Sequence, residues 1–357
     1  MKRPLRLFFI SMVLLYSINV AGQPLVPYST LNPVIYINDQ ITDNYGSEVA
    51  LAMASDGTIS LVGNICGYPK ESWMQEAKYQ RHKNEYVTAH FKTHRKAIAS
   101  GFKNLPTPLL GLFDRHKKPA SGRIKDTKMI GSPGTDLIVD EAMKCSHEKP
   151  LVVVIGGDFC TLADAYLKEP AIAGRVVVAA RAYNLDSDGN IKPANKEYNI
   201  NQSGWSAAIV LRKFRVICFP GSTGMAPKGT CNQVKNLPPK PLREYMIQLE
   251  HWHYGKQCKE KWWLGDAPPL LSVVSSDFIR ELQYARISGY VESNTAPEMV
   301  PNIACTPDSS NIMIAMDGTN TLTTRILWDH LANPCAWDPD CAAEASYAEP
   351  LPRIAEK

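Results

Sequence analysis

The chain has 357 residues, enough for two average domains or one large α/β domain, and 45% of them are hydrophobic. Charged residues at 21% and aromatic residues at 9% exclude a disordered or fibrous chain. The formal net charge is only +4, which argues against a surface that binds a nucleic-acid backbone or an anionic membrane.

Residues 1–22 have the pattern of a secretory signal peptide. Lys2, Arg3 and Arg6 precede an apolar run over 7–20, and two small residues follow it. The run is shorter than the ~20 residues that span a bilayer, although an uncleaved anchor is the alternative. We therefore expect the mature protein to be exported, either to the periplasm or out of the cell, and to have no membrane span.

After the signal peptide, short apolar runs alternate with helical patterns. The predicted strands cover 33–37, 58–63, 108–112, 151–155, 175–180, 214–219 and 311–316. The predicted helices include 45–55, 85–100 and 136–143. Continuous apolar strands separated by helices are typical of a parallel sheet that is covered on both faces. The sequence thus predicts an α/β fold with a doubly wound, mostly parallel sheet and helices on both faces.

The pattern loosens between about residues 221 and 301. Prolines at 238, 239 and 241 precede a helical pattern over 242–254, and two more prolines follow at 268 and 269. We interpret this segment as a helical elaboration of one domain that covers about 30–350.

Nine cysteines follow the signal peptide, so at least one thiol is unpaired. Cys66 and Cys218 lie in apolar runs and are candidates for the core. The cysteines from 231 onward lie in loop-rich sequence and are better disulfide candidates, and their pairing stays open.

Polar residues gather where the predicted strands end. Residues 38–44 (Asn-Asp-Gln-Ile-Thr-Asp-Asn) join the first strand to a helix, and 156–158 are Gly-Gly-Asp. Ligands of doubly wound sheets bind at the carboxyl ends of the strands, and Ca²⁺ or Mg²⁺ takes carboxylate, amide and carbonyl oxygens. A helix cap in a solvated loop is the alternative for 38–44. For Asp338, which precedes Pro339, the alternative is likewise a helix N-cap.

In order and spacing, these motifs resemble the inosine-uridine-preferring nucleoside hydrolase family. The N-terminal signature of that family is a strand, then Asp-x-Asp-Pro-Gly-x-Asp-Asp, then a helix. Further motifs are a Gly-Asn pair, a Gly-x-Leu-Thr-Asn turn, a Glu-Phe-Asn-Ile segment and a C-terminal Asp-Pro turn. The similar segments, in chain order, are 34–44, 61–68, 152–161, 197–200 and 337–339.

The resemblance implies a nucleoside-hydrolase-like fold, a Ca²⁺ site at the carboxyl end of the sheet, and hydrolysis of the N-glycosidic bond of a ribonucleoside or related N-riboside. Asp39 would be a metal ligand and the base that takes a proton from the attacking water. The other implied metal ligands are Asn44, Cys160 through its backbone carbonyl, and Asp338. The implied sugar contacts are Asp43, Glu197 and Asn199, with Asn190 from the preceding loop.

A leaving base must be stacked or protonated, and aromatic side chains stack on bases. Trp337 is one candidate for this contact, and His251, Trp252 and His253 are others. Simple core packing is the alternative for Trp337, and an exposed helix face is the alternative for the two histidines.

The sequence also departs from the family pattern. Ile37 replaces the first Asp of the signature, and Asn44 replaces the last one, which removes a negative charge and weakens Ca²⁺ binding. Tyr68 would fill the space of a small polar sugar contact, and Arg181 would place a bulky cation near the pocket. Two alternatives therefore stay open: a catalytically impaired homologue that binds a nucleoside or sugar, and a hydrolase of a different glycoside. A homo-oligomer stays open as well.

Overall fold

The structure is a computed structural model, and it describes residues 25–39, 45–69, 74–192, 197–254, 262–291, 296–301 and 310–341. The predicted signal peptide lies outside these residues. The strands are β1 (Pro33–Asn38), β2 (Ser60–Cys66), β3 (Pro108–Leu110), β4 (Leu151–Ile155), β5 (Val176–Arg181), β6 (Arg215–Phe219), β7 (Lys228–Gly229), β8 (Trp262–Trp263), β9 (Ile279–Val291), β10 (Ala296–Pro301) and β11 (Ile312–Gly318).

The helices are α1 (Gly46–Ser55), α2 (Glu76–Ala99), α3 (Pro133–Met143), α4 (Cys160–Lys168), α5 (Tyr198–Ser203), α6 (Trp205–Lys213), α7 (Cys231–Lys235), α8 (Pro241–Tyr254), α9 (Ala267–Val274), α10 (Asn320–Leu331) and α11 (Pro334–Trp337). Among the described residues, none of the helices has the length and hydrophobicity that crossing a membrane requires.

In the described part of the chain, nine strands form one sheet in the order β10-β9-β11-β6-β5-β4-β1-β2-β3. The strands from β11 to β3 in this order pair in parallel, whereas β9 is antiparallel to both β11 and β10. The predicted fold class, a doubly wound and mostly parallel sheet, is therefore confirmed. We call the edge where the parallel strands end the carboxyl edge, and the opposite one the amino edge.

Both faces of the central strands are buried. Val34 and Tyr36 of β1 pack into one apolar cluster with α1, α9 and α10. Ile35 and Ile37 pack into a second cluster with α3, α4 and α6 on the other face. Because side chains alternate between the faces of a strand, a strand covered on both sides must be apolar throughout. This is why β4 has the sequence Leu-Val-Val-Val-Ile with every residue buried.

The segment 221–301 differs from the predicted helical elaboration. It contains α7, α8 and α9, but also β9 and β10, which extend the main sheet by an antiparallel pair. Helix α9 is not peripheral, because it packs against β4, β5 and β6, and Leu270 and Leu271 are fully buried. This segment therefore completes the core, and α9 starts at the carboxyl edge.

Candidate functional site

The strands β1, β4, β5 and β6 are neighbours, and their carboxyl ends carry the polar residues that the sequence singled out. Asn38 ends β1 and is followed by Asp39, Gly156 to Asp158 follow β4, and Arg181 ends β5. Since the four strands are parallel, these residues lie along one edge. This is the edge where ligands of open α/β sheets bind.

Two glycines after β4 let the end of β1 come close. The amides of Gly156 and Gly157 both donate to the carbonyl of Ile37, at 2.9 and 3.4 Å. A Cβ atom on Gly157 would lie 2.6 Å from the Asp39 nitrogen and 3.1 Å from the Asp39 Cβ. The Asp39 amide also donates a hydrogen bond to Oδ1 of its neighbour Asn38, at 3.1 Å. The glycine turn thus fixes the backbone of Asp39 at the carboxyl edge.

Asp266 is a member of this cluster that the sequence analysis missed. It directly precedes α9, and a Cβ atom on Gly156 would lie 3.2 Å from Asp266 Cβ and 3.1 Å from Asn38 Oδ1. The Asp266 side chain does not cap the helix, and its Oδ1 lies 3.8 Å from Arg181 Nε. The available signal was Asp266-Ala267-Pro268, an acidic residue before a proline-containing helix start.

Glu197 and Asn199 join the same cluster, as the sequence analysis expected. Glu197 caps α5 by accepting the Ile200 amide at 2.7 Å, and its Oε1 lies 3.7 Å from Arg181 Nη1. Asn199 Nδ2 donates to the Gly156 carbonyl at 2.8 Å and to the Arg181 carbonyl at 3.3 Å. Asn199 therefore ties the ends of β4 and β5 together. Burial raises the pKa of Glu197, and the nearby guanidinium opposes that shift.

Asp158 lies beneath the edge rather than on its surface. It is fully buried, and its Oδ1 accepts the Cys160 amide at 2.6 Å. Burial raises the pKa of Asp158 to about 6, and the hydrogen bond from Cys160 opposes this shift. Its Oδ2 lies 2.7 Å from the position that a Cβ on Gly67 would take, and it accepts no hydrogen bond from the described residues.

Cys160 is buried as the first residue of α4, and burial raises the pKa of its thiol. In that position its carbonyl points along the helix toward an amide one turn further on. The predicted metal contact of this carbonyl stays a prediction from the sequence.

Trp337 and Asp338 are not part of the cluster, in contrast to the prediction. Helix α1 starts at the carboxyl edge, so its last residue, Ser55, lies at the amino edge. Ser55 Oγ donates to the carbonyl of Ala336 at 2.7 Å, which places α11 and Asp338 at the amino edge as well. The physical reason is the direction of α10, which follows the carboxyl end of β11 and returns the chain to the opposite side of the molecule.

The surroundings of these two residues are structural. The Trp337 indole packs edge-to-face on Phe102 with ring centres 5.1 Å apart, and its Nε1 donates to the Leu331 carbonyl at 2.7 Å. Asp338 Oδ1 accepts the amide of Asp340 at 3.0 Å. A disulfide bond between Cys335 and Cys341 encloses this turn. Trp337 is therefore a core residue, which was the alternative for it.

Tyr68, expected from the sequence to fill the space of a sugar contact, follows β2 at the carboxyl edge. It is buried, and its ring contacts those of Tyr79 and Tyr86, with centres 6.1 and 4.3 Å away. Both partners lie in α2, so the Tyr68 ring packs the start of this helix against the end of β2.

Of the remaining predicted residues, the structure describes the side chain of Asn190 alone, and it is not brought to the site. Asn190 is exposed in a surface turn, where its amide donates to Asp186 Oδ1 at 2.8 Å. Asp43 and Asn44 lie outside the described residues. His251, Trp252 and His253 belong to the last turns of α8, and their side chains are also outside the described ones.

The predicted calcium ligands that the structure describes do not all come together. Asp338 is at the opposite edge from Asp39, and Asn44 lies outside the described residues. Over the described ranges, no three His, Cys, Asp or Glu side chains are grouped as metal ligands. The predicted ligand set therefore does not fit the structure, and we derive no chemical step through a metal ion. Calcium stays a prediction from the sequence.

No family model matches this sequence, and a search of curated proteins found no match either. Solved structures do match. A purine-preferring ribonucleoside hydrolase from Gardnerella vaginalis is 16% identical with a TM-score of 0.59, and the match covers 85% of this chain and 99% of that one. A plant nucleoside hydrolase is 12% identical with a TM-score of 0.55, covering 85% and 100%. An inosine-uridine-preferring nucleoside hydrolase from Bacillus anthracis is 14% identical with a TM-score of 0.53, covering 85% and 99%.

At these identities the matches establish the fold alone, and they cover nearly the whole of each neighbour. The resemblance inferred from the order of the motifs pointed to the same proteins. The chain has the fold of the nucleoside hydrolases, in a highly divergent sequence.

Proposed function

We propose that this protein is a hydrolase that cleaves the N-glycosidic bond of a ribonucleoside or a related N-riboside. The observation that carries the proposal is the grouping of Asp39, Asp266, Glu197 and Asn199 at the carboxyl edge of a nucleoside hydrolase fold. Three carboxylates and an amide from three separate segments are more than packing requires, because a buried carboxylate has a desolvation cost.

Asp39 is the proposed general base. It follows β1 at the carboxyl edge, in contact with the glycine turn after β4. Asp39 would accept a proton from water while the water oxygen forms a bond to the anomeric carbon of the ribose. The N-glycosidic bond breaks at the same time, and its electron pair leaves with the nucleobase. The nucleobase takes a proton from the solvent, and Asp39 then releases its own proton to the solvent.

The neighbouring side chains have two further roles in this mechanism. As the glycosidic bond breaks, the ribose ring gains positive charge, and the carboxylates of Asp266 and Glu197 would stabilise that charge. Glu197 and Asn199 would also form hydrogen bonds with ribose hydroxyls, since both side chains are held at the start of α5. Holding the sugar in one orientation lowers the entropic cost of reaching the transition state.

A panel of purine and pyrimidine nucleosides tests the proposal. Mature protein is incubated with each nucleoside, with and without added Ca²⁺, and release of free base and ribose is followed. We expect turnover of at least one nucleoside and a loss of roughly 100-fold or more in Asp39→Asn. The matched control is Asp338→Asn, which changes the same residue type at the opposite edge.

The second candidate function is binding of a nucleoside or sugar without turnover. The Arg181 guanidinium favours it, because it lies between Glu197 and Asp266 and neutralises part of the charge that the transition state needs. Binding of a nucleoside by calorimetry, together with no base release from any member of the panel, would support this candidate and refute the hydrolase.

A further inference from the structure

A cavity of about 500 Å³ lies next to the cluster that Asp39, Asp266, Glu197 and Asn199 form. This volume is typical of small-molecule sites. Small residues form most of the wall that the structure describes, and the described lining is Arg181, Gly221, Ser222, Gly224, Ala226, Gly265 and Asp266. The Gly221–Gly224 segment follows β6, so the cavity opens at the carboxyl edge, beside the site described above.

The backbone around this cavity is arranged to hold Arg181. Arg181 Nη1 donates to the Tyr183 carbonyl at 3.1 Å, and the Gly221 amide approaches the same oxygen at 3.4 Å. Tyr183 has a φ of +64°, a conformation that costs a bulky residue free energy. The loop after β5 is also joined to the loop after β6, since the Leu185 amide donates to Ser222 Oγ at 2.5 Å.

Gly221 is fitted to the guanidinium. A Cβ atom at position 221 would lie 1.8 Å from Arg181 Nη2 and 2.4 Å from its Cζ. Any other residue there would displace the arginine side chain, so the sequence of the loop and the position of the cation depend on each other.

The two acidic neighbours of Arg181 do not saturate it. Its closest approaches to Glu197 and Asp266 are 3.7 and 3.8 Å, which are longer than the roughly 2.7–2.9 Å of a charge-assisted hydrogen bond. A ligand anion that reaches the guanidinium at hydrogen-bond distance would therefore gain an interaction that neither carboxylate makes. The planar guanidinium suits phosphate oxygens in this respect.

We propose that this cavity binds a phosphoryl group, and that the protein binds a phosphorylated riboside more tightly than a neutral nucleoside. The inference rests on the proposed function, because it assigns the substrate class of that site. Asp39 follows β1 and Arg181 ends β5, two strand spacings or about 10 Å away. A ribose that presents its anomeric carbon to Asp39 can place a phosphate ester on its other side toward Arg181.

Calorimetry with ribose 5-phosphate, ribose and inorganic phosphate tests the inference on the whole mature protein. None of the three has an N-glycosidic bond, so binding is measured without turnover. We expect ribose 5-phosphate to bind at least about tenfold more tightly than ribose. Arg181→Gln and Gly221→Ala should both abolish this ratio, and Arg181→Lys should restore part of it, because a lysine keeps the charge without the planar fork.

The matched control is Arg325→Gln, which removes an exposed arginine of α10 that does not line the cavity. It should keep the ratio of the wild type. The inference is refuted if ribose 5-phosphate binds no better than ribose, if it shows no binding at all, or if Arg181→Gln weakens both ligands equally, as expected of a purely structural counter-ion. Since no outcome depends on catalysis, the nucleoside panel can fail while this result stands, and the reverse also holds.

Discussion

Gly157 and Asp39 lie in contact across two neighbouring strands: a Cβ atom on Gly157 would stand 2.6 Å from the Asp39 nitrogen. The alanine variant must therefore move the main chain that holds the proposed base. We predict that Gly157→Ala lowers kcat roughly 100-fold, because small displacements of a catalytic group are costly. We also expect a loss of about 1–3 kcal/mol of stability from overpacking.

Kinetics on the preferred nucleoside and urea unfolding measure the two effects of Gly157→Ala. Gly174→Ala is the control, since a Cβ at that position meets no atom within 4 Å. Full activity in the Gly157 variant would show that the turn does not position Asp39.

Asp266 and Asp338 allow a direct comparison of two acidic residues that the sequence alone does not distinguish. Asp266 lies beside Gly156 and Arg181, whereas Asp338 lies at the amino edge. We predict that Asp266→Asn lowers kcat/KM roughly 100-fold, because it removes a charge that stabilises the transition state. Asp338→Asn should leave kcat/KM unchanged. Steady-state kinetics on both variants check this, and the opposite order of effects would contradict the assignment of the site.

The Asp158 carboxyl should make the protein less stable as the pH rises. Burial raises its pKa from 3.8 to about 6, so the folded state holds the proton more tightly than the unfolded state does. This contribution is complete below about pH 3.8 and is lost as the pH rises through about 6, a change of about 3 kcal/mol.

Asp158→Asn keeps an uncharged side chain at every pH, and the variant should gain stability over the wild type at pH 8. Urea unfolding at pH 5 and pH 8 measures the free energy of unfolding of both proteins. The prediction is refuted if this free energy changes equally with pH in the wild type and the variant.

Asp164 should behave in the opposite way. This buried carboxylate accepts His116 Nε2 and the Ile130 amide on Oδ1, and the Gly131 amide and Thr135 Oγ1 on Oδ2. Burial opposes its ionisation, but these hydrogen bonds outweigh the burial, and the pKa of Asp164 is lowered. Its stabilising effect is therefore present above the usual pKa of 3.8 and is lost as the pH falls through the lowered value.

Asp164→Asn would turn an amide NH₂ toward donors on one side, and we predict a loss of about 2–4 kcal/mol at pH 7. Asp126→Asn, which breaks an exposed pair with Arg123, should change stability little and serves as the control. Equal unfolding midpoints for the two variants would contradict the prediction.

The central sheet could be predicted because its physical signal is local. A strand that is buried on both faces must be apolar throughout, so the run from Leu151 to Ile155 defines β4 without any knowledge of its neighbours. The carboxyl edge followed from the same logic, and Asp39, Glu197 and Asn199 do lie there.

The partner of Asp39 from the later part of the chain could not be predicted in this way. Asp266 and Asp338 both precede prolines at helix boundaries, and only the direction of the chain decides which edge each one reaches. For Asp338 that direction is set by β11 and α10, and β11 pairs with β6, which lies far away along the chain. Tyr68 is a similar case, since its packing under Tyr79 and Tyr86 depends on where α2 begins.

The disulfide between Cys335 and Cys341 has a practical consequence for experiments on this protein. It sits beside Asp338 on the side of the sheet away from Asp39 and the Arg181 cavity. A label or a surface anchor attached near this covalent loop would hold the molecule at its amino edge. The cavity would then face the solution, which suits immobilised ligand screening.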